Sequence, residues 1–272
     1  MNYALIREHK WQIELVVWAA VVALVTVLLV RQCGRRSGDD GCSAGMADSL
    51  QLVDLPQCQR VDYLGFRVYY DSAAHLPRCV LYELTADETL GTVPRAKGFE
   101  SDDTVSGCAE PSAFRGSGLS RGHMAPAGDM KWDARAMQQS FLMPNICPQD
   151  NSLNEGGWNR VEEKAREWAR RDKALVVAVG PVIEPGLERT AAGVAIPKYF
   201  YKVILAHRVW PRRAVAFIYP NAPSNGPLRH YVVSVDSVER LTGIDFFAVL
   251  PDDEEDRIER SSALASFLHV RW

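Results

Sequence analysis

Residues 174–183 read Ala-Leu-Val-Val-Ala-Val-Gly-Pro-Val-Ile, a continuous apolar run closed by a Gly-Pro stop. Such a run is typical of a buried strand, and it commits the chain to a sheet. Two runs rich in β-branched and aromatic residues precede it, Phe66-Arg67-Val68-Tyr69-Tyr70 and Arg78-Cys79-Val80-Leu81-Tyr82-Glu83-Leu84. Strand-like stretches follow at residues 199–207, 214–219 and 231–235. Between them lies a polar, charged run from residue 152 to 171 with no internal proline, which reads as a helix. Ser152 is its expected cap and Glu155 stands at the capping-box position. A second, short helix is expected at residues 237–241, followed by a hydrophobic Phe246-Phe247 turn. Strands with helices between them make the class α+β. Residues 85–118 carry Gly, Pro, Asp and Ser throughout and read as loop, with Asp102-Asp103 in an exposed turn.

A length of 272 residues, 47% hydrophobic and 24% charged, allows one substantial domain plus an appendage. The expected boundaries are a polar N-terminus at 1–10, a membrane segment at 11–30, a linker at 31–58, the folded domain at 59–250 and a solvated acidic tail at 251–272. The membrane segment rests on the apolar residues 15–30, which have no polar face. With residues 11–13 the stretch reaches the ~20 residues that a spanning helix needs, although Glu14 interrupts its first turn. A cleaved signal is the alternative, but Arg31-Gln32-Cys33-Gly34-Arg35-Arg36 follows, without a small-x-small site.

Two signals disagree about which side the domain occupies. Arg31, Arg35 and Arg36 outnumber Arg7 and Lys10, and by charge would keep the domain in the cytoplasm. The six cysteines, Cys33, Cys42, Cys58, Cys79, Cys108 and Cys147, all follow the membrane segment, and an even number invites disulfides in an oxidising compartment. Free buried thiols are the other reading of them, and none has Cys-x-x-Cys spacing. The expectation adopted is a domain outside the cytoplasm, in the periplasm or envelope, or secreted if the leader is cleaved.

Candidate chemistry gathers in two stretches. His123, on an irregular Arg-Gly-His-Met-Ala-Pro segment, is a candidate general base, and Arg121 beside it suits a phosphate ester. In the charged helix Asn154, Trp158, Glu162 and Arg166 recur at four-residue steps and should form one stripe on one face. That stripe reads either as a solvated face with a buried tryptophan or as a site around a hydrated cation, since Mg²⁺ needs only one or two protein ligands. A net charge of −3 and a pI near 6.1 exclude a generally basic nucleic-acid coat, so binding would rest on a local patch and a metal. Lys202, His207, Arg208, Arg212 and Arg213 form such a cluster, either a backbone-binding surface or solubilising charge at a strand edge.

The pattern Arg121-Gly122-His123-Met124-Ala125-Pro126-Ala127, then Asp129, then Ser140-Phe141-Leu142-Met143-Pro144-Asn145-Ile146-Cys147-Pro148-Gln149 and Leu153-Asn154-Glu155-Gly156-Gly157-Trp158, resembles the DNA/RNA non-specific endonuclease family. The resemblance implies a ββα-metal fold with a central, mostly antiparallel sheet flanked by helices. It implies hydrolysis of phosphodiester bonds in both DNA and RNA. By resemblance His123 is the general base, Asn154 the single protein ligand of a hydrated Mg²⁺ (Mn²⁺ or another divalent ion being the alternatives), and Glu162 the acid that holds metal-bound water. Arg121, Arg95 and Arg166 match arginines near the phosphate. The family motif commonly begins with Asp where this chain has Ser120, a departure that bears on rate. The alternative function is a catalytically weak nucleic-acid-binding or uptake component that keeps the fold. Monomer and homodimer both stay open.

Overall fold

In chain order the strands and helices are β1 (Gln59–Asp62), β2 (Arg67–Asp71), β3 (Leu76–Thr85), β4 (Ser120–His123), α1 (Ala134–Gln139), β5 (Ile146–Gln149), α2 (Asn159–Asp172), β6 (Ala174–Pro181), β7 (Tyr199–Ala206), β8 (Arg213–Pro220), β9 (Val232–Val233), α3 (Val235–Thr242) and α4 (Asp252–Glu259). The computed structural model describes residues 55–260, together with Leu264 and Phe267. Seven strands form one sheet in the order β1-β2-β3-β6-β7-β8-β9, every neighbouring pair antiparallel, and β4 pairs with β5 in a separate hairpin.

The apolar run at 174–183 now has its reason. β6 lies between β3 and β7 and is buried along its whole length. Leu175, Val177 and Val179 face one core, with Trp158, Val161 and Trp168. Val176 and Ala178 face a second, with Val235, Val238, Phe246, Phe247 and Ile258. A strand covered on both faces has no position left for a polar residue. Its neighbour β7 divides the same way: Phe200, Ile204 and Ala206 face the first core, Tyr201, Val203 and Leu205 the second.

Three expectations are corrected. The acidic segment after residue 250 is not a solvated tail: it forms α4, whose Ile258 is buried in the second core, and Phe267 beyond it packs edge-on against Trp168 at 5.0 Å. Acidic residues open α4, where they suit the positive end of the helix, and its apolar positions face inward. Nor do the described cysteines make disulfides; Cys58, Cys79, Cys108 and Cys147 are free thiols, and burial pushes that of Cys79 up to about 12. Leu55, at the end of the expected linker, is already buried in the second core.

The expected membrane segment at 11–30 lies outside the described residues. Among those described, no helix is long and apolar enough to cross a membrane. The loop at 86–119 is held to the sheet, with Tyr63 Oη donating to Asp102 Oδ2 at 2.6 Å and Thr104 also donating to that carboxylate, so Asp102 serves a turn.

Candidate active site

The histidine sits at the end of β4, and its backbone is locked from both sides. Gly122 pairs with Cys147 across the hairpin, and the Gln149 side chain crosses so close that a Cβ on Gly122 would stand 2.2 Å from Gln149 Oε1. Beyond His123, the buried Asn145 side chain accepts from Ala125 N (2.8 Å) and donates to the carbonyls of Ala125 (2.9 Å) and Ser140 (2.8 Å). A buried amide with every hydrogen bond made fixes a turn that has no regular ladder of its own. The imidazole packs against Phe99 and edge-on against Phe141, with ring centroids at 5.4 and 4.7 Å. It is 7% exposed, and its Nε2 has no partner among the described residues. Burial, helped by the charge of Arg95, lowers its pKa from 6.5 to about 3.

The second half of the site differs from its expected form. Ser152 is already helical and caps nothing; Asp150 takes that role, its Oδ1 accepting from Leu153 N at 3.0 Å. The expected capping box at Ser152 and Glu155 is therefore absent. The turn Leu153–Trp158 is wound as a π-helix, one residue wider than an α-turn. The extra residue shifts the register. Asn154 and Glu155 are followed on the cavity wall by Asn159, then by Glu162 and Arg166, whereas Trp158 turns into the core. There its Nε1 donates to the carbonyl of His123 at 3.4 Å, tying helix to hairpin. The wide turn needs Gly157, because a Cβ there would stand 2.2 Å from the carbonyl oxygen of Ser224.

The charges around the cavity are paired beneath it. Arg166 Nη1 donates to Asp129 Oδ1 at 2.7 Å, and Asp129 Oδ2 accepts from Tyr82 Oη at 3.0 Å. Glu162 Oε1 lies 3.7 Å from Nζ of Lys202, which is 0% exposed and 4.4 Å above the Trp158 ring. Burial pushes the Glu162 carboxyl up to about 7, with Lys202 opposing the shift. Arg95 is exposed at the rim, over the Phe141 ring at 4.9 Å. Of these groups Arg95, Glu162 and Arg166 line a cavity of about 590 Å³.

Of the residues expected from sequence, His123, Asn154, Glu162, Arg95 and Arg166 line this one cavity. Arg121 does not. Its guanidinium donates to the carbonyl of Pro111 and lies 5.4 Å over the Phe99 ring, so it buttresses the wall beside His123. The basic cluster of β7 and β8 is also dispersed. His207 and Arg208 pair with Glu83, Arg212 with Glu254 and Arg213 with Asp172, and none of the four lines the cavity. Lys202 stands apart from them as the buried partner of Glu162. Its signal was in the sequence: in the alternation Phe200, Lys202, Ile204, Ala206 it is the one charge at a core position. Asn159 and Tyr82 carried no comparable signal.

The donor set fits a hydrated divalent cation. Asn154 offers an amide oxygen, Glu162 has a carboxylate near it for a metal-bound water, and His123 Nε2 is an orphaned buried atom beside them. Among the described residues the His, Cys, Asp and Glu groups close enough for a three-ligand cage lie elsewhere, so the cavity suits an ion that keeps most of its waters.

Residues 52–253 match the DNA/RNA non-specific endonuclease family. The chain is 34% identical over 220 residues to the mitochondrial nuclease EXOG of Mus musculus, covering 72% of this chain and 58% of that protein. It is 29% identical over 194 residues to the mitochondrial endonuclease G of Homo sapiens, covering 65% of each. Its structure resembles a chain of the EndoG/EndoGI complex with a TM-score of 0.67 and 27% identity, covering 72% of this chain and 88% of that one. The chain thus spans less than two thirds of the length of these curated relatives.

Proposed function

The chain belongs to the DNA/RNA non-specific endonuclease family, and from that premise we propose that it is a Mg²⁺-dependent endonuclease hydrolysing phosphodiester bonds in DNA and in RNA. The observation that carries this reading is that His123, whose buried Nε2 has no partner among the described residues, lines one cavity with Asn154, Glu162, Arg95 and Arg166. A base, a metal-binding amide and two guanidinium groups around one cavity are what phosphodiester hydrolysis requires.

In the proposed reaction His123 Nε2 takes a proton from water as the water oxygen bonds to phosphorus and the opposite P–O ester bond breaks. The depressed pKa keeps His123 neutral and ready to accept across the working pH range; an approaching phosphate anion raises its basicity. Arg166, held by Asp129, and Arg95 position the phosphoryl oxygens. Asn154 would hold the cation, which neutralises charge on the phosphate and leaving oxygen when bound. Glu162 would hold a water bound to that cation. Arg121 acts by supporting Phe99 and the Pro111 carbonyl. Such a site contacts backbone and not base edges, which supports weak sequence preference.

The apolar residues 15–30 support a tether to a membrane through residues 11–30; the side proposed for the nuclease domain is outside the cytoplasm, against the charge of Arg31, Arg35 and Arg36 and without support from the free thiols of the described cysteines. Protease added to spheroplasts, with the outer barrier opened and the inner membrane intact, should digest the domain; its protection would place the domain in the cytoplasm.

The test of the activity incubates the full chain in detergent with plasmid DNA and with RNA, in Mg²⁺ or chelator. Both substrates are cut only with metal, and His123→Ala lowers the rate by roughly 10²- to 10⁴-fold with folding retained. Asn154→Ala raises the Mg²⁺ concentration needed for half-maximal cleavage. Intact substrates that still shift in a gel would favour the binding component instead.

A further inference from the structure

A second group of carboxylates lies on the other face of the sheet, over the second core. Asp236 and Glu239 come from α3, Asp245 from the loop after it, and Glu255 and Glu259 from α4. Oxygens of Asp236, Glu239 and Glu259 lie within 4.8 Å of one another, and so do those of Asp245, Glu255 and Glu259. Glu259 belongs to both triples, and the two share it as a hinge.

Glu259 makes the group more than an acidic surface. It is 8% exposed, and its Oε1 is buried without a hydrogen-bond partner among the described residues. A buried carboxylate oxygen left unmatched is costly, and nearby basic groups would be expected to turn to it. They are engaged elsewhere: Arg212 and Arg257 with Glu254, Arg260 with Asp256, and Arg240 with Ser237 Oγ. Among the described residues none of the five carboxylates has an ion pair with a basic side chain. Burial, then the charges of Glu239 and Glu255, pushes the carboxyl of Glu259 up to about 8.

We propose that this group binds one Ca²⁺ ion, with Glu259 as the central ligand and the other carboxylates drawn from α3, α4 and the Asp245 loop. Within each triple the carboxylate oxygens are no more than 4.8 Å apart, a span covered by two Ca–O bonds of about 2.4 Å each, so an ion at Glu259 takes one triple directly and meets the other through its waters. Half-exposed ligands on three separate segments suit the irregular, oxygen-rich shell of Ca²⁺ better than the strict octahedron of Mg²⁺. Waters would complete the shell on the exposed side, where Asp245 lies.

The ion's role is structural. The family match ends at residue 253, so Glu255 and Glu259 lie beyond it. The ion would fasten α4 to α3 and, through α4, the chain end that carries Phe267 to the first core. Its cavity is not that of His123, so the proposal stands independently of the nuclease reading.

The test uses the full chain in detergent, stripped of metal, with Asn154→Ala as background so that the His123 cavity does not add its own cation. Equilibrium dialysis should find one Ca²⁺ per chain. At a hundredfold excess over its dissociation constant, Ca²⁺ should raise the melting temperature by on the order of 5–10 °C. Glu259→Gln, which keeps the shape and removes the charge, should abolish both binding and shift. Glu255→Gln, at a half-exposed position, should keep the fold and need more Ca²⁺ for the same shift, which covers a failure of the first variant to fold. No Ca²⁺-dependent shift, a shift that both variants keep, or an equal shift with Mg²⁺ at the same concentration would overturn the proposal.

Discussion

Two largely desolvated glutamates, one on each face of the sheet, have neighbours of opposite charge. Glu162, on the face of the His123 cavity, has the ammonium of Lys202 3.7 Å away, and its carboxyl rises only to about 7. Glu259, on the other face, has carboxylates around it and no basic ion-pair partner among the described residues, and its carboxyl rises to about 8. Burial is the leading cause at both; the sign of the nearest charge separates them. A cavity that must receive an anion carries its compensating cation within the protein. The Glu259 group has no basic ion-pair partner among the described residues, and on our proposal it takes a cation from solution.

Removing the internal cation should break that contrast most severely. Lys202→Met leaves Glu162 buried without a partner, and should cost about 3–5 kcal/mol of stability above pH 7. The same variant should lose much less near pH 5, where Glu162 holds a proton, and the double variant Lys202→Met/Glu162→Gln should recover most of the loss in denaturant melts. The sign follows from Glu162 itself. Its folded pKa of about 7 stands above its ordinary 4.5, so its contribution is full below pH 4.5 and is lost as pH rises through 7. Measured in chelator, Glu162→Gln should flatten stability across that window; an unchanged slope would acquit Glu162.

The cavity face also depends on close backbone approach. Gly157→Ala puts a methyl 2.2 Å from the Ser224 carbonyl oxygen and should destabilise by about 1–3 kcal/mol. Because the wide turn carries Asn154, the metal requirement should rise with it; a normal requirement would separate the turn from the site. The smallest effect is expected on the other face. Without metal and above pH 8, where Glu259 is ionised, Glu259→Gln removes one charge from a repelling group and should raise the melting temperature slightly, whereas Lys202→Met lowers it. A fall in the Glu259 variant would show that the carboxylates are already compensated.

Much of the architecture was legible because it depends on local periodicity. The alternation of β7, the unbroken apolar run of β6 and the turn-rich loop before β4 each follow from which side chains can face a core and which must face water. α4 was misread because a run of acids resembles a solvated tail until Ile258 has a core to enter. The site was legible in its motif residues and illegible in its geometry. His123 and Asn154 met in one cavity, but Trp158 left the predicted stripe when a single extra residue widened the turn. Arg121, two residues from His123 on the same strand, found a carbonyl and an aromatic face instead of the cavity.

By itself the sequence determined the α+β class, the elements that face water or core, and the residue types that make hydrolysis of a phosphodiester chemically accessible. Only the tertiary structure decided that Lys202 answers Glu162, that Asp129 holds Arg166, that His123 is neutral and that five carboxylates meet at Glu259. The reason is physical: facing is set by neighbours one turn or two residues away, whereas desolvation and charge are set by segments that are distant in the chain and adjacent only after folding.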